Sequence, residues 1–132
     1  MESKVVAHLR DGRIFKGITR DFDPGRDQFH LLPAEGGGVP VRLPLGDLKA
    51  LFYVKDFVGN ADFEARREWD RISREGQRLM VTFLDDEVIW GTSEDYEPNA
   101  RGFFLAPADP DDNNLKIFVV NGSIRQVEFV DE

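Results

Sequence analysis

Residues 5–34, VVAHLRDGRIFKGITRDFDPGRDQFHLLPA, lie without a gap on residues 79–108, LMVTFLDDEVIWGTSEDYEPNARGFFLAPA, when the chain is shifted by 74 positions. Asp11 falls on Asp85, Gly17 on Gly91, Asp21 on Asp95, Phe22 on Tyr96 and Pro24 on Pro98. Phe29, Leu31 and Pro33 fall on Phe103, Leu105 and Pro107. After a two-residue change in length the match resumes at a shift of 76, where VPVRLPLGDLKALFYV (39–54) covers LKIFVVNGSIRQVEFV (115–130). Gly46 then meets Gly122, Leu48 meets Ile124, Leu51 meets Val127 and Tyr53 meets Phe129. Apolar, glycine and proline positions recur together, the mark of a repeated structural unit.

Each copy reads as about five short strands. Val5, Ala7 and Leu9 alternate with Val6, His8 and Arg10, the period of two that a half-buried strand requires, and Leu79, Val81 and Phe83 repeat it. Asp11-Gly12 supplies a tight hairpin turn, with Asp85-Asp86 in its place in the second copy. Gly17 and Gly91, each alone inside an apolar strand, predict a sharp bend or a close backbone approach. Asp23-Pro24 and Glu97-Pro98 mark the next turn. Unlike loops, Glu35–Gly38 and Asp109–Asn114, then occupy one place in the two copies, as surface connections do. Between the copies, Asn60 or Asp62 can cap a helix that Gly76 ends. Ala65, Trp69 and Ile72 form its apolar stripe, and Asp70 and Arg74 make a favourable pair one turn apart.

The 132 residues are 41% hydrophobic and 11% aromatic, ample for a packed core. With no cysteine, disulfides and thiolate metal sites are excluded. No apolar run approaches the roughly 18 residues of a membrane helix, and no signal-peptide pattern opens the chain, so a cytoplasmic protein is expected. The net charge of −8 is uneven: residues 1–60 carry nine Lys/Arg against eight Asp/Glu, or +1, and residues 61–132 carry eight against seventeen, or −9. An acidic half repels polyphosphate, since nucleic-acid affinity comes largely from neutralised phosphates.

The stretch Val5–Leu32, with Leu-x-Asp-Gly-Arg-x-Phe-x-Gly and then Phe-Asp before an apolar strand, resembles the first motif of Sm and Sm-like proteins. IFVVNGSIRQVEFV, two apolar strands around a tight glycine turn, resembles their second motif. The tandem arrangement is similar to an uncharacterised bacterial group of such domains. The resemblance implies two five-stranded SH3-like or Sm-like barrels, residues 1–58 and 77–132, joined by a helix over 59–76. A barrel of about 55 residues buries only about 60% of its unfolded surface, so fusion should help stability. The family also implies RNA binding and assembly through edge strands, but its RNA-contacting side chains do not carry over. The asparagine before the third strand is matched by Gln28 and Gly102, and the arginine of its Arg-Gly turn by Leu45 and Asn121. Only the glycines, Gly46 and Gly122, remain, and they serve backbone geometry.

Chemistry-bearing groups are few. His8 and His30, the only histidines, have Thr82 and Phe104 as counterparts and read as outward-facing surface residues without a positioned catalytic partner. Asp109, Asp111 and Asn113 open with calcium-loop spacing, but Asn114 and Val120 stand where the loop needs Gly and Glu. Gly36–Gly38 lacks the Lys-Ser/Thr and helix start of a phosphate cradle. Trp90 replaces Lys16, and Phe104 replaces His30, so aromatics stand where the first copy is polar. Trp90, Phe104 and His30 therefore form the candidate partner surface. The expectation is a non-enzymatic binding or assembly module without cofactor or metal, engaging a protein or a second copy of itself and no membrane. The alternative is an RNA-binding protein using Arg10, Arg13, Lys16, Arg20, Arg26 and Gln28.

Overall fold

Alternation in the first copy places Val5, Ala7 and Leu9 on a buried face, and in the second Leu79, Val81 and Phe83. Around them the computed structural model, which describes residues 3–34, 38–55, 57, 76–107 and 113–130, builds ten strands. These are β1 (Ser3–Leu9), β2 (Ile14–Thr19), β3 (Gln28–Pro33), β4 (Val41–Pro44), β5 (Leu48–Val54), β6 (Gln77–Phe83), β7 (Val88–Ser93), β8 (Gly102–Pro107), β9 (Asn114–Val120) and β10 (Ile124–Phe129). Single 3-10 turns, Leu45–Asp47 and Asn121–Ser123, lead into β5 and β10.

Pairings in the first five strands have counterparts in the last five. Gly17 opposes Pro33 as Gly91 opposes Pro107, and Val5 opposes Tyr53 as Leu79 opposes Phe129. The two glycines are needed for close approach. A Cβ on Gly17 would lie 2.2 Å from the Leu32 carbonyl oxygen, and one on Gly91 2.1 Å from that of Ala106. At the first hairpin Gly12 has φ +92°, and Asp86 takes the same left-handed conformation in the second at φ +73°. Aspartate tolerates that region better than most side chains.

The two closed barrels expected from the sequence are not what forms. All ten strands make one open antiparallel sheet in the order β10-β6-β7-β8-β9-β5-β1-β2-β3-β4. β5 is hydrogen-bonded to β1 on one edge and to β9 on the other, with Leu51 opposite Phe118 and Phe52 opposite Ile117. The physical reason lies in the two strands that meet. β5 (LKALFYV) and β9 (NLKIFVV) carry apolar runs over residues 50–54 and 117–120, so neither can leave a face in water there, and each buries one face in the core of its own half and the other in that of its neighbour. Among the described residues there is no α-helix, and the helix expected over 59–76 lies outside them except for Gly76.

Two cores result, and they share strands. One gathers Val5, Ala7, Phe29, Leu31, Leu45 and Leu51 from the first half together with Phe118 and Val120 of β9. The other gathers Leu79, Val81, Phe83, Phe103 and Leu105 with Ala50, Phe52 and Val54 of β5. Each half completes its neighbour's interior. No described helix is long and apolar enough to cross a membrane.

Candidate functional site

Where β5 sits on β9, a strand from one half is docked on the edge of the other. Tyr53 opposes Lys116, and its ring lies 6.2 Å from that of Phe104 on β8. Lys116 Nζ covers both rings, at 4.7 Å from Tyr53 and 4.8 Å from Phe104. Phe104 in turn meets Phe118 edge to face at 5.1 Å. Burial pushes the Tyr53 phenol up to about 12. Beside this seat lies a cleft of about 430 Å³ lined by Thr92, Glu94, Asp95, Phe104, Leu105, Ala106 and Lys116.

The first half contains the counterpart. A cleft of about 270 Å³ is lined by Ile18, Arg20, Asp21, His30, Leu32 and Pro40. At shifts of 74 and 76 these stand for Thr92, Glu94, Asp95, Phe104, Ala106 and Lys116 in turn. The shared aspartates build the two clefts alike. Asp21 accepts hydrogen bonds from the His30 backbone N–H at 2.9 Å and Thr19 Oγ1 at 3.3 Å, and Asp95 accepts from the Phe104 N–H and Ser93 Oγ. His30 Nδ1 adds a 2.7 Å bond to Asp21 Oδ2. Burial alone would raise the Asp21 pKa, but these bonds from His30 and Thr19 outweigh it and hold the carboxyl below its ordinary value.

The clefts differ at their borders. In the second half β9 is covered by β5, whereas β4 has no described strand on its outer side. Val39 (77% exposed) stands just before β4, and Leu32 (37%) lines the cleft. The clefts also differ in charge, with Arg20 in place of Glu94 and Pro40 in place of Lys116, and β4 beside the first carries Arg42 where β9 has Phe118.

A second polar cluster sits at the junction of the halves. A β-bulge at Lys49, between the pairs His8–Ala50 and Leu9–Leu48, projects that side chain onto the β6–β7 turn. Its Nζ donates to Asp85 Oδ2 at 2.7 Å and to Glu87, and lies 4.6 Å from the Phe83 ring centre. Only 10% of the Lys49 side chain is exposed. The counterpart bulge carries Arg125, which pairs with Asp86 and donates to the Leu84 carbonyl at 2.9 Å. Arg101 clamps the halves elsewhere, donating to the Pro24 and Arg26 carbonyls and to Asp27 at 2.9 Å. Period-two reading misses all three cations. Only the doubled hairpin acids, Asp85 and Glu87, hinted at a cation to meet them.

The residues singled out from sequence scatter. Trp90 is half-buried on β7, opposite Met80. Phe104 is packed between Tyr53 and Phe118 inside the chain, while His30 is exposed at the first cleft. The three do not form one patch. His8 is half-buried with its ring 4.6 Å from that of Phe52, and burial lowers its pKa. Of the RNA candidates, Arg10 donates to the Leu48 carbonyl, Arg13 pairs with Asp11 and Lys16 donates to the Phe57 carbonyl. Arg20 lines the cleft, Arg26 lies under the Arg101 clamp and Gln28 opposes Pro44. The acidic loop 109–112 and Glu35–Gly37 lie outside the described residues. Among those described, no three His, Asp or Glu side chains converge as a metal site.

No curated protein and no solved structure matches this chain. One family does, described as a family of unknown function, and its sequence pattern matches residues 1–131. The chain, whose halves meet where β5 seats on β9, belongs to that family, DUF6982.

Proposed function

We propose that this chain is a non-enzymatic protein-binding module whose working surface is the open edge of β4 and the cleft beside it. The observation that carries the reading is the seat of β5 on β9. It is a strand docked on a β9-type edge, held by backbone pairing and by one aromatic ring set against Phe104, which itself lines the neighbouring cleft. β4 presents the counterpart edge and cleft with no described strand upon them. Main-chain hydrogen bonds along such an edge supply affinity, and alternate side chains supply selectivity.

The test is a display selection of random twelve-residue peptides against the intact chain, with the selected peptides mapped by amide chemical-shift changes. Changes centred on residues 39–44 and 30–32 are expected. The reading fails if selected peptides map elsewhere. It also fails if the chain instead binds single-stranded RNA with log K falling by about 0.7 per phosphate contact as log salt rises.

A further inference from the structure

We infer that the segment docking on β4 is an extended, acidic stretch of another protein, with alternating apolar residues and one large aromatic. This inference rests on the β4 reading and specifies its occupant.

The β5–β9 register fixes the positions. Ala50 opposes Val119, Leu51 opposes Phe118, Phe52 opposes Ile117 and Tyr53 opposes Lys116. Moved to β4 by the shift of 76, the same four partner positions oppose Leu43, Arg42, Val41 and Pro40. The residue in the place of Tyr53 meets Pro40 and reaches over His30, whose counterpart is Phe104. There the walls are more apolar than in the second half, with Ile18 for Thr92 and Leu32 for Ala106. That favours an aromatic. The residue in the place of Leu51 faces Arg42 where Leu51 faces Phe118, so an acidic side chain fits. The cleft beside it exchanges Glu94 for Arg20 and Lys116 for Pro40, and its Asp21 carboxylate is bonded to His30. The residues in the places of Ala50 and Phe52 lie against Val41 and Leu43, and Leu43 belongs to the first core, so both should be apolar.

A second copy of this chain fits less well. Its strand with the right register is β10, which would bring Gln126 and Glu128 to the two apolar places. Inside the chain those places hold Ala50 (0% exposed) and Phe52 (7% exposed). Setting the Glu128 carboxylate against Val41 and Leu43 costs desolvation with no cation on that face of β4. The edge is therefore shaped for a foreign strand of the pattern apolar, acidic, apolar, aromatic.

Fluorescence anisotropy on the intact chain tests this with four labelled peptides: SDVEVYES, its charge-reversed form SKVKVYKS, its aromatic-free form SDVEVAES, and the chain's own SIRQVEFV. The first should bind at least tenfold more tightly than the other three. Arg42→Glu, an exposed position whose variant is checked for native circular dichroism, should reverse the order of the first two. Equal binding of the first two, or an order that Arg42→Glu leaves unchanged, overturns the inference. So does tightest binding of SIRQVEFV together with self-association of the chain in light scattering, which would make the occupant a second copy. Display-selected peptides that map to β4 but show no acidic or aromatic preference would sink this inference and leave the binding edge standing. A selection that finds nothing at β4 would sink both.

Discussion

Lys49 joins the two halves through one ammonium group, and its surroundings set a stability window in pH. Burial by itself would lower its pKa, but the bonds to Asp85 and Glu87 outweigh that and raise it. The Lys49 hydrogen bond, the largest influence on Asp85, holds that carboxyl below its ordinary value. A raised lysine contributes stability that is complete below its unfolded pKa of about 10.4 and is lost as pH rises through the folded value. A depressed aspartate contributes stability present above about 3.9 and lost as pH falls through its folded value. Lys49→Met should therefore lower stability by about 1–2 kcal/mol at pH 7, an effect reduced by the 57% exposure of the Asp85 side chain. Urea unfolding at pH 7 and pH 3 checks it, because the gap between variant and wild type should shrink at the lower pH. Tyr53 adds an alkaline counterpart. The unfolded phenol ionises near 10 and the folded one holds its proton to about 12, so unfolding free energy should fall between those values. Tyr53→Phe should flatten that fall, and a slope unchanged in the variant would assign it elsewhere.

At the scale of single elements, the strands, their hairpins and the glycine approaches follow from local pattern, because period two and turn chemistry are written within a few residues. Gly17 and Gly91 illustrate how far that goes, since the sequence marks them as a sharp bend or a close approach and the backbone meets the Leu32 and Ala106 carbonyls there. Gly17→Ala and Gly91→Ala should each cost at least about 2 kcal/mol, since backbone rather than a flexible side chain blocks the added methyl. A thermal shift below a few degrees for either variant would show that β2 or β7 can move aside. The bulges at Lys49 and Arg125 were not legible, because an extra residue in one strand shows only against its partner's register. The β4 cleft was legible only in part. His30 and Arg20 were singled out, each for a different partner, but Ile18 and Arg20 reach the cleft from β2 and the residue after it and Pro40 from the β3–β4 connection, which a strand-by-strand reading keeps apart.

At the scale of the whole molecule, the deciding choice is which neighbour β5 takes on its second edge. Local pattern cannot state it, since LFYV and IFVV read equally well as strands closing their own halves and as strands shared between them. Burial on both faces selects sharing. Phe118, in the second half of the sequence, is 1% exposed inside the first core, and Phe52, in the first half, is 7% exposed inside the second. The halves should therefore unfold together. Phe118→Ala removes a fully buried ring and should cost about 3–5 kcal/mol. Its damage falls in the first core, so a probe there and the native Trp90 in the second half should still report one transition with one midpoint. Phe52→Ala, which empties the second core from the first half, should behave in the same way. Two separated transitions in either variant, or native-like amide protection in an isolated 1–58 fragment, would mean that each half holds a core of its own. In that case β5 and β9 would be in contact without depending on each other, and the β5 seat would lose its standing as a template for what binds β4.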